Sequence, residues 1–230
     1  MLGMPLAAKI FRVKVDTSLE ELADKLRDYR SVEIQKEGEE EFELLIEVGD
    51  LKIEGEHLSG IISKDKLIFV NQRGKLKPVL KTVDARIIFS KLKDKLLLTV
   101  VQEKHFANAI ASMLSQLLFL SYKAIVEANI KPETLQEFHE RNPEGTKVIY
   151  FDNIDIPSVN KLALYGDALK NSPLYEEYLA HGKIWYIVFT SRRNGAVMGL
   201  TRNCVVTSFT KMPEEDFVQC IFEEVYPLIS

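Results

Sequence analysis

Hydrophobic positions along the chain change period several times, and each change predicts an element. Leu19, Leu22, Ala23 and Leu26 recur at i, i+3, i+4 and i+7, the apolar stripe of an amphipathic helix. Ser18 stands before them and Glu21 follows three residues on, so a capping box starts the helix, which is expected to run to about Tyr29. Val13 to Val15 closes a short strand ahead of it. From Val32 to Val101 the period is two. Phe42, Leu44, Ile46 and Val48 alternate with Glu41, Glu43 and Glu47 as in a half-buried strand, with Leu45 as the exception. Gly49-Asp50 predicts a two-residue hairpin turn, after which Leu51 and Ile53 resume the alternation. Further strands are expected over 58–63, 67–71, 79–90 and 96–102, with turns at 63–66, 71–74 and 91–95.

A long helix over 104–129 should follow, apolar on most sides (Phe106, Ile110, Met113, Leu114, Leu117, Leu118) and therefore enclosed. Ala107, Ala111 and Ser115, spaced by four, form a thin ridge on it that allows close approach of another backbone. Within it, residues 105–122 run 18 positions without a charge, but five polar residues interrupt them and a span needs about 20 apolar ones, so no membrane insertion is expected. Pro132 starts a short helix to His139, and 141–145 (Arg-Asn-Pro-Glu-Gly) is rich in turn residues. A strand over 147–151, helices over 157–170 and 172–182, and strands over 183–190 and about 203–210 come next, with Asn194-Gly195 as the strongest hairpin signal. A helix from Pro213 buries Phe217, Ile221, Val225 and Leu228.

This order predicts the α+β class: an antiparallel curved sheet gripping the long helix, then a smaller α+β unit. The turn at 141–145 divides the chain into domains 1–140 and 146–230. The 230 residues, 46% hydrophobic and 28% charged, suit a folded globular protein able to bury about 70% of its surface. A net charge of −4 excludes a general nucleic-acid coat. Cys204 and Cys220 lack metal-ligand or disulfide spacing, and Cys204 lies in an apolar stretch read as strand. Reduced thiols, and an amino terminus without a basic leader segment, point to the cytoplasm.

Candidate chemistry is sparse, because GxxxxGK[ST], GxGxxG, GxSxG and HExxH are all absent. Asp152 and Asp155 follow an apolar strand and offer carboxylates for a hard cation such as Mg²⁺. Arg192, Arg193 and Arg202 flank the Asn194-Gly195 hairpin as a possible anion fork. Residues 64–95 carry ten basic side chains against three acidic, among them Lys75, Lys77, Lys91 and Lys93, a zone that could track phosphates. Residues 1–50 run the other way, with 7 basic against 13 acidic. The leading expectation is a non-enzymatic binding protein that engages an apolar ligand or a protein partner, itself included as a homodimer. The contact is expected at the sheet-helix interface around Ala107, Ala111, Ser115 and Leu117. The alternatives are a nucleic-acid binder using the basic zone, and a metal-dependent enzyme acting on phosphates. No cofactor is implied.

Overall fold

The computed structural model describes residues 5–230; residues 1–4, the start of the terminus read above for a leader, lie outside the described residues. Its elements in chain order are β1 (Ala7–Val13), α1 (Leu19–Leu26), β2 (Arg30–Glu37), β3 (Glu40–Glu54), β4 (His57–Gln72), β5 (Lys75–Leu92), β6 (Lys95–Val101), α2 (Lys104–Phe119), β7 (Ile125–Glu127) and α3 (Pro132–Arg141). They continue with β8 (Thr146–Asp152), β9 (Leu162–Tyr165), α4 (Pro173–His181), β10 (Lys183–Thr190), β11 (Val197–Thr201), β12 (Val205–Ser208) and α5 (Glu214–Cys220). Helices with antiparallel strands make the class α+β, as expected. Among the described residues no helix is long and apolar enough to cross a membrane. Two compact units form, one from residues 12–102 and 107–126, the other from residues 5–11, 103–106 and 127–230.

The first unit is a meander in the order β2-β3-β4-β5-β6. Its helix α1 starts on the capping box: the Glu21 N–H donates to Ser18 Oγ at 3.1 Å and the Glu21 carboxylate accepts from the Ser18 N–H and the Thr17 hydroxyl. Those two bonds, Thr17's first, hold the Glu21 pKa below the usual carboxylate value. The helix ends at Leu26 rather than Tyr29, because Asp28 adopts a left-handed φ of +54°. Leu19, Leu22, Ala23 and Leu26 are its buried face, and α1 packs on β3 and β4.

Two expected turns are corrected here. At Gly49-Asp50 the chain does not reverse; the ladder slips between the pairs Gly49↔Ile61 and Lys52↔Ser59, so β3 carries a bulge with Asp50 at φ +53°. Gly60 faces it, where a Cβ would stand 2.8 Å from Leu51 Cδ2. The reversal comes at Gly55-Glu56, with glycine at the first central position (φ +57°), as a type II′ turn requires. Residues 63–66 also continue a strand: β4 and β5 pair without a break from His57↔Ser90 to Gln72↔Lys75. Their polar side chains bond along the ladder, Ser63 to Asp84 (2.7 Å) and Thr82 to Asp65 (2.6 Å), so turn-like composition here marks a wet strand. The turn at Arg73-Gly74 forms as expected, both residues at positive φ and Asn71 Oδ1 accepting the Gly74 N–H at 2.9 Å.

The long helix is shorter than its apolar run. α2 stops at Phe119, Leu120 turns to φ +52°, and the chain folds back so that the Ser115 hydroxyl donates to the Ser121 carbonyl and accepts the Ile125 N–H. Residues expected to extend the helix to 129 instead form β7. Burial is one-sided, on Ala107, Ile110, Ala111, Leu114, Ser115 and Leu118, while Leu120 is 84% exposed. The structure does not show a sheet gripping this helix.

In the second unit the strand order is β1-β12-β11-β10-β8-β9, with Ala7↔Thr207 and Ala8↔Val206 joining β1 to β12. Lys9 on β1 is fully buried and paired with Glu127. The helix expected over 157–170 is corrected to β9, whose Leu162 to Tyr165 pair with Phe151 to Val148, followed by a 3₁₀ turn. The strand expected over about 203–210 shortens to β12, β11 precedes it without having been expected, and in the turn between them Cys204, not a strand residue, sits at φ +58°. Burial pushes the Cys204 thiol up to about 12, so it stays protonated. After α5 a π turn over Ile221–Val225 shifts the buried register, so Ile229 is covered and Leu228 is only half-buried.

Candidate functional site

The expected site on α2 is mostly core. Ala107, Ala111 and Ser115 are enclosed by the chain's own atoms, and only Leu117 is half-exposed. The Ala/Ser spacing marks the helix's inner face, and Ser115 serves the chain reversal described above.

The three arginines are not brought together. Arg192 donates from Nη2 to the Arg141 carbonyl at 2.7 Å, and Arg193 pairs with Glu223. Glu224 accepts from the Ser191 hydroxyl and the backbone N–H groups of Arg192 and Arg193, which pins the loop to the π turn. Arg202 instead grips Asp152 with both terminal nitrogens. Asp155 pairs with His181 at 2.8 Å, so the two aspartates read as a cation site hold separate partners. Among the described residues no three His, Cys, Asp or Glu side chains are grouped to hold a metal ion.

The basic zone is divided by the length of β5. Lys77 and Lys91 stand fourteen residues apart on it, about 46 Å at 3.3 Å per residue. Lys75 and Lys77 belong to the free end of the β4–β5 hairpin, Lys91 and Lys93 to the turn before β6. Between Lys77 and Lys91, β5 carries the basic residues Lys81 and Arg86.

That free end is the most unusual surface of the first unit. The β3–β4 ladder stops at Ile46↔Lys64, because the Leu45 N–H donates to the Asp65 carboxylate (3.1 Å) in place of a backbone carbonyl. On the other side β6 pairs β5 only from Arg86 to Leu92. Residues 65–84 are therefore a two-stranded ribbon without a third strand on either edge. It is apolar on both faces. Leu67, Phe69, Leu76, Pro78 and Leu80 occupy one, and Ile68, Val70 and Val79 the other, the face that continues Leu58, Ile62, Ala85, Ile87 and Phe89 of the core. Phe69 is 51% and Leu76 68% exposed. Lys66, Lys75, Lys77 and Lys81 take the other face of the ribbon. Beside it, the β2–β3 hairpin is exposed along all of β2, shows Val32 and Ile34 (60% exposed) to solvent, and carries Glu33, Glu37, Glu39, Glu40, Glu41 and Glu43.

An aromatic cluster was also not foreseen. A bulge between the pairs Ile184↔Phe151 and Tyr186↔Tyr150 turns Trp185 to the same side as Tyr186. Tyr150 lies 5.4 Å from Tyr186 and 5.9 Å from Trp185, its hydroxyl bonds Tyr165, and Lys161 stands 4.4 Å over the indole. Gly199 makes room, since a Cβ there would meet the Tyr186 hydroxyl at 2.5 Å. Burial raises the Tyr186 pKa. The Trp-Tyr pair hinted at it, but alternation places neighbours on opposite faces and only the bulge unites them.

Comparison of the chain with protein-family models and with curated proteins finds no match.

Proposed function

We propose that this is a non-enzymatic binding protein that docks a protein partner on the exposed apolar surface of the β4–β5 ribbon, and that the partner is a second copy of the chain. The observation that carries it is exposed apolar surface, Phe69, Leu76 and Leu80 on one face and Val70 and Val79 on the other, of a ribbon with no third strand on either edge. An isolated two-stranded ribbon is at best marginally stable in water, so such a face gains from cover. A second copy fits by charge. Its β2–β3 hairpin combines exposed Val32 and Ile34 with a row of glutamates, against a ribbon whose Lys66, Lys75, Lys77 and Lys81 share a face with exposed Val70 and Val79. Reciprocal seating of ribbon on hairpin would be a two-fold, self-complementary contact.

Sedimentation velocity over a concentration series tests this. A species of twice the 26.3 kDa monomer mass is expected, and Phe69→Glu with Leu80→Glu should return the monomer with an unchanged far-UV spectrum. Lys75→Glu with Lys77→Glu should weaken association while leaving fold and solubility intact. A parent chain that stays monomeric throughout overturns the proposal.

A further inference from the structure

A second feature of the first unit, independent of the ribbon, is a cleft of about 710 Å³ between the end of β1 and the turn joining β5 to β6. Arg12, Lys14, Lys91, Lys93 and Lys95 line it, against Asp16 and Asp94 alone. Its apolar floor is Val13 and Leu19, both buried. Thr17 and Leu19 also bring the amino end of α1 to the rim, its first turn carrying Glu20 and the capping Glu21. The Ser18 cap takes the Glu21 N–H, leaving the N–H groups of Leu19 and Glu20 without a partner inside the helix. The two-residue turn Lys93-Asp94, with Lys93 at φ +55°, fixes one wall. Like charges crowded in this way repel one another until an anion enters.

We propose that this cleft binds a small molecule carrying a run of phosphates. The volume lies in the range of small-ligand sites, about 300–1,000 Å³. Arg12, Lys14, Lys91 and Lys93 against two carboxylates favour a ligand with several negative charges, more than a lone carboxylate brings. Lysines act as mobile point charges and Arg12 adds a planar fork, a combination that suits successive phosphoryl oxygens. A nucleic-acid strand offers the same groups, but between the cleft and Lys77, about 46 Å away along it, β5 carries only Arg86 and Lys81, a sparse continuation of the track.

Calorimetric titration of the full chain with tripolyphosphate, and in parallel with a short single-stranded oligonucleotide, tests the assignment. Tripolyphosphate is expected to bind, more weakly as salt rises, and to lose at least about tenfold in affinity in Lys91→Glu with Lys93→Glu. Lys14→Glu, on the opposite wall, should weaken it in the same direction. Lys75→Glu with Lys77→Glu, which probes the ribbon, should leave it unchanged. Absence of tripolyphosphate binding, binding of the oligonucleotide alone, or equal losses from both lysine pairs overturns the proposal. The ribbon's role in association is read by mass and is untouched by any of these results.

Discussion

Arg202 holds Asp152 through two parallel hydrogen bonds, Nη1 to Oδ1 at 3.0 Å and Nη2 to Oδ2 at 2.7 Å. Each side chain is roughly three-quarters covered, with relative exposures of 25% and 23%. Planar fork meets planar carboxylate, the strongest form a charge-assisted bond takes in proteins. The pair ties the end of β8 to the turn after β11 in one unit, and it commits both groups to each other. An acid that accepts two guanidinium N–H groups is a poor cation ligand, and an arginine so engaged is a poor anion fork.

Breaking that pair should cost more than either residue's own worth. Arg202→Ala strands a mostly covered carboxylate and is expected to destabilise the chain by about 1–3 kcal/mol. Adding Asp152→Ala should recover part of the loss, giving a coupling of about 0.5–3 kcal/mol in a double-mutant cycle read by urea unfolding. Strictly additive losses would show that the bidentate geometry contributes nothing.

Acid sensitivity should centre on His139. The imidazole is fully buried on α3, neither ring nitrogen has a hydrogen-bond partner, and its ring packs edge-on against Tyr175 at 5.0 Å. Burial pulls its pKa from 6.5 down to about 4, against a smaller opposing pull from Glu140. The unfolded chain therefore takes up the proton first. Stability from this site is complete above about pH 6.5 and declines as pH falls towards 4, by something on the order of 3 kcal/mol. Urea midpoints should fall across that window in the parent and much less in His139→Phe. Equal acid sensitivity in both would place the labile group elsewhere.

Helix α2 offers a paired test of which face is core. Leu114 is fully buried and Leu117 is not. Leu114→Ala should cost about 2–5 kcal/mol, and Leu117→Ala well under half of that. Thermal or urea melts of the two variants decide it. A reversed order would mean that the helix is rotated from the face described.

Local signals were legible wherever one residue and its near neighbours settle the matter. The Ser18 and Glu21 box, the strand over Lys183 to Thr190, and the Asn71 to Gly74 turn all stand where the pattern puts them. Misreadings arose where the same composition serves two structures. Residues 63–66 have the polarity of a turn, but on a solvated strand that polarity is satisfied across the ladder, and beyond it apolar residues line both faces of the ribbon. The apolar run from 105 to 122 continues past the end of its helix, because Leu120 at positive φ and the Ser115 bonds end it. Site geometry was less legible. Asp152 and Arg202 are fifty residues apart and meet through pairing of β8, β10 and β11, while Lys77 and Lys91 look adjacent only until the strand between them is extended.

The division at 141–145 can be tested by cutting it. Arg141 and Glu144 are exposed there, so limited digestion with an arginine- or glutamate-specific protease should nick the chain in this turn. The products should nevertheless stay together under native conditions. On the amino-terminal side of the cut lie β1, hydrogen-bonded to β12 through Ala7↔Thr207 and Lys9↔Val205, and α3, whose Phe138 packs edge-on against Phe189 of β10 at 4.9 Å. On the other side lie β10 and β12 themselves. Parting the fragments would expose the Phe138–Phe189 contact and open a strand edge at β12, losses that a single peptide bond does not offset. Size-exclusion chromatography of the nicked protein should give one peak at the parent's position, resolving into two only in denaturant. Two separate folded peaks without denaturant would establish 1–140 and 146–230 as independent domains.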